Sequence, residues 1–124
     1  MKTYKVFLDD YRDPRDLYPQ MDNEIYLEQN WLVVRSYEEF TTYIEEYHRR
    51  GAFPRFISFD SRIATLQFVD VDADSVELFV ERTGADCAGW LADFTARHRL
   101  SLPLYAVHSA SEEGELAIAS RLRL

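Results

Sequence analysis

The sequence predicts one α/β domain built on an open parallel sheet. Short apolar strands alternate with amphipathic helices along the 124 residues, the pattern of a parallel sheet with right-handed crossovers. Several strands run directly into acids or a histidine, at the rim where such sheets carry their sites. No repeat, linker or low-complexity stretch interrupts the pattern, so residues 1–124 are read as a single domain with room for a real core.

Each element has a local reason. Tyr4 to Leu8 is aromatic and β-branched, too short for a helix, and stopped by Asp9-Asp10. Tyr11 to Asn30 reads as a loop, with Pro14, Pro19 and several Asp and Asn residues. A loop of that length beside the rim suits a lid or a partner-binding surface. Trp31 to Ser36 is the second strand. Ser36 with Glu39 makes a capping box, and Gly51 ends the helix that follows. Tyr37, Phe40, Tyr43, Ile44 and Tyr47 share one helical face, while Glu38, Glu45, Glu46 and Arg49 point outward. Phe53 to Asp60 is the third strand.

After it, apolar and acidic residues alternate around Asp72-Ala73-Asp74-Ser75, as in a β-hairpin. Asp70, Asp72, Asp74 and Glu81 also copy four positions of a calcium loop, but Ser75 stands where its turn glycine belongs. The hairpin is the simpler reading. Thr83 and Asp86 have capping-box spacing at the start of a second helix, whose inner face carries Cys87, Trp90, Leu91 and Phe94. Leu102 to Ser109 contains the fourth core strand, and a short last helix follows. His48 and His98 sit near helix ends, where a positive charge is favourable. Cys87 is read as a small core residue.

The bulk properties narrow the function. Apolar residues make up 47% and charged residues 29%, an ordinary globular balance. The net charge of −8 argues against a generic DNA binder or a membrane-surface binder, since both need a basic face. Nearly all the basic residues are Arg, whose fork suits a phosphate. A nucleotide or RNA-end phosphate therefore stays open as a ligand, and so does a protein partner. The single cysteine forms no intrachain disulfide. No apolar run approaches signal-peptide or membrane-span length, and the expected location is the cytoplasm.

The rim holds the chemistry. The parallel topology brings Asp9, Asp10, Asp60, His108 and Ser109 to one edge. Converging carboxylates repel unless a cation sits between them, and hard oxygen ligands suit Mg²⁺. Asp9, Asp10 and Asp60 are the expected metal ligands, and His108 is placed to exchange protons near neutral pH. A metal and a histidine beside a phosphate ester form a hydrolytic arrangement.

The acid pair after strand one, the Asp after strand three and the small hydroxyl residue after strand four resemble the receiver fold of response regulators. No lysine occurs after Lys5, so the phosphorelay lysine of receivers has no counterpart. The closer resemblance is to the cyclic-phosphate processing receiver-like family, whose members read LDD-x-R-x-P, SxDHDL, TGYDCAxWL and HSxNPxG. This chain carries LDDYRDP, SFDSRI, TGADCAGWL and HSASEEG in the same order. The resemblance implies a three-layer, flavodoxin-type receiver fold with sheet order 2-1-3-4 and a hairpin insert after strand three. It implies metal-assisted processing of a cyclic phosphate or phosphoester on a nucleotide or RNA end. Mg²⁺ or Mn²⁺ would be held by Asp9, Asp10 and Asp60. His108 and Asp60 would be catalytic, and Arg12, Arg62 and Ser109 would contact the ligand. The chain departs from the motifs at Ser61, Arg62, Ala85, Ser111 and Glu112. An Arg62 beside Asp60 either takes the place of the metal or binds a ligand phosphate. The competing expectation is a catalytically inactive receiver-like module that binds a nucleotide or a protein.

Overall fold

The computed structural model describes residues 1–70, 77–108 and 111–122. Four strands form the main sheet: β1 (Lys2–Leu8), β2 (Trp31–Val34), β3 (Ala52–Phe59) and β6 (Leu104–Val107). Their order is β2-β1-β3-β6 and every pairing is parallel, which is the expected 2-1-3-4 order of the core strands. A separate antiparallel pair, β4 (Arg62–Asp70) and β5 (Glu77–Thr83), forms the hairpin arms after β3. Its turn, with Asp72, Asp74 and Ser75 of the calcium-loop reading, lies outside the described residues.

Alternation along the strands decides which layer each side chain meets. Val6, Leu8, Ile57 and Phe59 face one side. There they pack against Phe40 and Ile44 of α2 (Tyr37–Arg49), Cys87, Leu91 and Phe94 of α3 (Gly84–His98), and Ile118 and Leu122 of α4 (Glu112–Leu122). Of the aromatic face expected on α2, Phe40 is buried and Tyr43 lies partly in solvent. Cys87 is fully buried, and burial, with the nearby Asp86 carboxylate, pushes its thiol up, as fits a core residue.

The opposite face carries Phe7 and is covered by the connection between β1 and β2. That segment is not a plain loop. It folds into a 3₁₀ turn (Pro14–Leu17), the one-turn helix α1 (Tyr18–Met21) and a second 3₁₀ turn (Glu24–Leu27). Leu17 and Tyr26 pack on Phe7 as a second core. Lys5, 2% exposed, anchors it: its ammonium donates to Glu28 at 2.7 Å and to the Gln29 carbonyl at 2.9 Å. The third layer of the fold is thus made of short helical turns.

The hairpin and α3 join without a loop. Thr83 ends β5 and also caps α3, accepting the Asp86 N–H while Asp86 accepts from the Thr83 N–H. Gly84 then passes against the β3–β4 junction, donating its N–H to the Ser61 carbonyl at 3.1 Å. A Cβ at this position would lie 2.0 Å from the Asp60 carbonyl oxygen. Backbone cannot yield there as a side chain can, so only glycine fits. Gly89, inside the same helix, meets only the flexible end of Arg121. We expect Gly84→Ala to destabilise the fold by about 3 kcal/mol, whereas Gly89→Ala gains up to about 1 kcal/mol from helix propensity. Paired denaturant unfolding curves check this; equal effects at the two glycines would refute the close-approach argument.

Candidate functional site

The carboxyl ends of β1, β3 and β6 bring Asp9, Asp60 and His108 together. One ligand atom from each lies within 4.8 Å of the others, and all three residues are buried. The local chain explains each position. β1 stops at Leu8, and the chain turns back over Asp9, whose Oδ1 accepts the N–H groups of Tyr11 at 3.0 Å and Arg12 at 2.9 Å. This Asx-type turn is the local role of the first aspartate. The turn returns Arg12 to the site: its Nε donates to Asp9 Oδ2 at 2.8 Å, and its Nη2 lies 3.8 Å from Asp60 Oδ2. Arg35, just after β2, fastens the turn from outside by donating to the carbonyls of Asp9 and Arg12 and to Asp13.

The cation between the two carboxylates is therefore Arg12. Arg62 contributes to this cluster through its backbone, whose N–H reaches Asp60 Oδ1 at 3.3 Å, while its side chain is exposed. Arg12, expected as a phosphate contact, holds the acids together in this arrangement. Asp10 is half-buried at the rim and stands outside the three-residue cluster. Ser109 lies outside the described residues.

His108 is wholly buried. Its Nε2 lies 3.1 Å from Asp9 Oδ2 and its Nδ1 lies 2.7 Å from Ser58 Oγ. Ser58 Oγ in turn lies 2.8 Å from the hydroxyl of Tyr26. The imidazole stacks on Phe7, with centroids 4.7 Å apart and planes 5° from parallel. Ser58 is the β3 partner of Phe7, so alternation turns both toward the layer that carries Tyr26. Sequence reasoning missed Ser58, Tyr26 and Arg35. The available signal was one polar residue, Ser58, inside an otherwise apolar strand, because a buried hydroxyl needs partners.

The two aspartates are pushed in opposite directions. Burial pushes Asp9 up, but hydrogen bonds from His108, Tyr11 and Arg12, with the Arg12 charge, outweigh it and hold the carboxyl well below the usual range. Asp60 is raised by burial and by the neighbouring Asp9 carboxylate, against partial relief from the Arg62 N–H and the Arg12 charge. A pair split in this way keeps one carboxylate ionised while the other takes up a proton more readily.

Beside Asp60 a cavity of about 250 Å³ opens between the hairpin and the starts of α3 and α4, lined by Ser61, Arg62, Thr83, Ala85, Ser111 and Glu113 among others. Four positions that depart from the family motifs, Ser61, Arg62, Ala85 and Ser111, thus share one wall.

An α/β domain with a β2-β1-β3-β6 parallel sheet and an acid rim at its carboxyl edge has the architecture of a receiver-like, flavodoxin-type fold. The profile of the family described as "Cyclic-phosphate processing Receiver domain" matches residues 4–124, and the chain belongs to that family. No curated protein and no solved structure matches it. Among the described residues no helix is long and apolar enough to cross a membrane.

The split predicts opposite responses to acid. The folded-state pKa of Asp9 lies below its unfolded value, so its stabilisation is complete above the ordinary aspartate range and is lost as pH falls toward the folded-state value. Asp60, raised on folding, costs stability once pH rises through its folded-state value. Asp9→Asn should therefore lose about 2 kcal/mol at pH 7 and show a flatter acid limb, whereas Asp60→Asn should hold or gain stability at pH 7. Urea unfolding at pH 7 and pH 3 reads both. An unchanged acid limb in Asp9→Asn would contradict the assignment.

Proposed function

We propose that this domain binds a phosphate ester at its carboxyl rim and processes it with the aid of a divalent cation, the ligand being a cyclic phosphate or phosphoester on a nucleotide or RNA end. The observation that carries this reading is the under-compensated Asp60. It is a buried carboxylate whose nearest guanidinium nitrogen is 3.8 Å away, and the next two residues of the chain, Ser61 and Arg62, line a cavity. A charge of that kind gains from a cation.

The donor set fits Mg²⁺ or Mn²⁺ in type: Asp9 and Asp60 offer carboxylate oxygens, with Asp10 adjacent in the chain. Ligation by Asp9 Oδ2 requires Arg12 to release it. The bound ion would withdraw charge from the phosphoryl oxygens. Arg12 and Arg62 would grip the phosphate through their forks, and Asp60 would hold the ion as a carboxylate. His108, with both nitrogens engaged and no exposure, acts on Asp9 in this arrangement.

The saturation of Asp9 favours a second reading. Its two oxygens already accept from four groups, and Arg12 supplies a counter-charge without a metal. A catalytically inactive receiver-like module that binds a nucleotide or a protein partner would need no more.

Calorimetric titration with Mg²⁺ and Mn²⁺, alongside hydrolysis of a nucleoside 2′,3′-cyclic phosphate, separates the two. The first reading expects saturable metal binding that disappears in Asp60→Asn, and turnover that rises in Ser61→His with Arg62→Asp. Binding of the cyclic phosphate without metal and without turnover selects the second. Arg62→Ala should weaken that binding about tenfold in either case, the equivalent of one charge-assisted contact. Binding of neither metal nor cyclic phosphate would refute the first reading and reduce the second to a protein-binding module.

A further inference from the structure

The hydrogen-bond chain behind Asp9 has a direction. We infer that Tyr26 and Ser58 are positioning residues that hold His108 as a single neutral tautomer, with its hydrogen on Nε2 and aimed at Asp9. The inference does not depend on whether the domain turns over a substrate.

The direction follows from counting donors and acceptors. Asp9 Oδ1 accepts two backbone N–H groups and Oδ2 accepts Arg12 Nε. Two backbone N–H groups on Oδ1 and a guanidinium in contact with Oδ2 favour the ionised carboxylate, which has no hydrogen to give. The hydrogen in the 3.1 Å contact with His108 therefore belongs to Nε2.

Two states then remain for Nδ1. If it also carried hydrogen, it would donate to Ser58 Oγ, and whichever way the Ser58 and Tyr26 hydroxyls then pointed, one of their two hydrogens would have no acceptor among the described residues. Tyr26 is 1% exposed, so water offers little remedy. A buried unsatisfied donor is what folded proteins avoid. If Nδ1 is bare, every group is satisfied in one order: Tyr26 donates to Ser58, Ser58 donates to Nδ1, and Nε2 donates to Asp9. Phe7, stacked on the imidazole, fixes the ring plane in which this order is possible.

The arrangement gives the β1–β2 connection a role at the site. Tyr26 sits in the 3₁₀ turn Glu24–Leu27, which Lys5 pins through Glu28 and Gln29. The covering layer thereby sets the hydrogen that His108 offers to Asp9. Neither Tyr26 nor Ser58 needs to touch a ligand to do so.

Long-range ¹H–¹⁵N spectra of the imidazoles at pH 7, recorded on the full chain, test it. Wild type should show His108 with a protonated Nε2 and a bare Nδ1, and with a slowly exchanging Nε2–H. Ser58→Thr, which keeps the hydroxyl, should retain that pattern. Ser58→Ala should raise the Nε2–H exchange rate at least tenfold, and Tyr26→Phe should raise it several-fold without removing Ser58. A hydrogen on Nδ1, a doubly protonated ring or averaged nitrogen shifts in the wild type would overturn the inference. So would an exchange rate that neither Ser58→Ala nor Tyr26→Phe moves. The wild-type spectrum and Tyr26→Phe keep the test decisive should Ser58→Ala fail to fold.

Discussion

A buried, ionised Asp9 is the constraint on which the rest of the site depends. An ion with no exposure has to collect donors from the chain around it, and here they come from distant places. Two are backbone N–H groups of the turn after β1, one is the Arg12 side chain carried by that turn, and one is His108 from the end of β6. Since β3 lies between β1 and β6, one carboxylate ties the sheet together across its middle strand. Arg35 adds the end of β2 by binding the carbonyls of the same turn. The rim is ordered because a charge was buried in it.

The same economy explains why the two aspartates differ. Asp9 lies where the chain reverses and where the buried face of the sheet presents His108, so donors surround it. Asp60 ends β3 just as the chain leaves for the hairpin, and Gly84 brings α3 down on its carbonyl. Among the described residues the Asp60 carboxyl has one backbone N–H and a guanidinium 3.8 Å away. One carboxylate is surrounded by donors; the other is less well compensated.

Much of this was legible in the sequence. Period-2 and period-3.6 patterns located every core strand and the three long helices, and parallel topology alone placed Asp9, Asp60 and His108 at one rim. The motif match extended that to the family. What remained hidden were contacts made by residues of ordinary appearance. Tyr26 lies in a segment that reads as loop because its helical turns are too short for a periodic signal. Ser58 is one hydroxyl in a strand, and the identity of its partners depends on which strand faces which layer. The cation between the acids was sought in Arg62, next to Asp60 in sequence. Arg12 reaches them instead, because the Asx-type turn folds it back, and such a turn is set by backbone hydrogen bonds that residue types alone do not reveal.

The departures from the family motifs acquire a physical meaning from where they sit. Asp9, Asp60 and His108 match the motifs and are buried close together, and loss of Asp9 or His108 would leave a charge or a hydrogen-bonding group without its partner. Ser61, Arg62, Ala85 and Ser111 do not match and line a cavity. The site therefore has two parts with different constraints: a buried network centred on Asp9 and His108, and a cavity lining whose residues depart from the motifs. Loss of an acid and gain of Arg62 in that lining shift the cavity from cation-attracting toward anion-attracting, while the buried carboxylates keep their geometry.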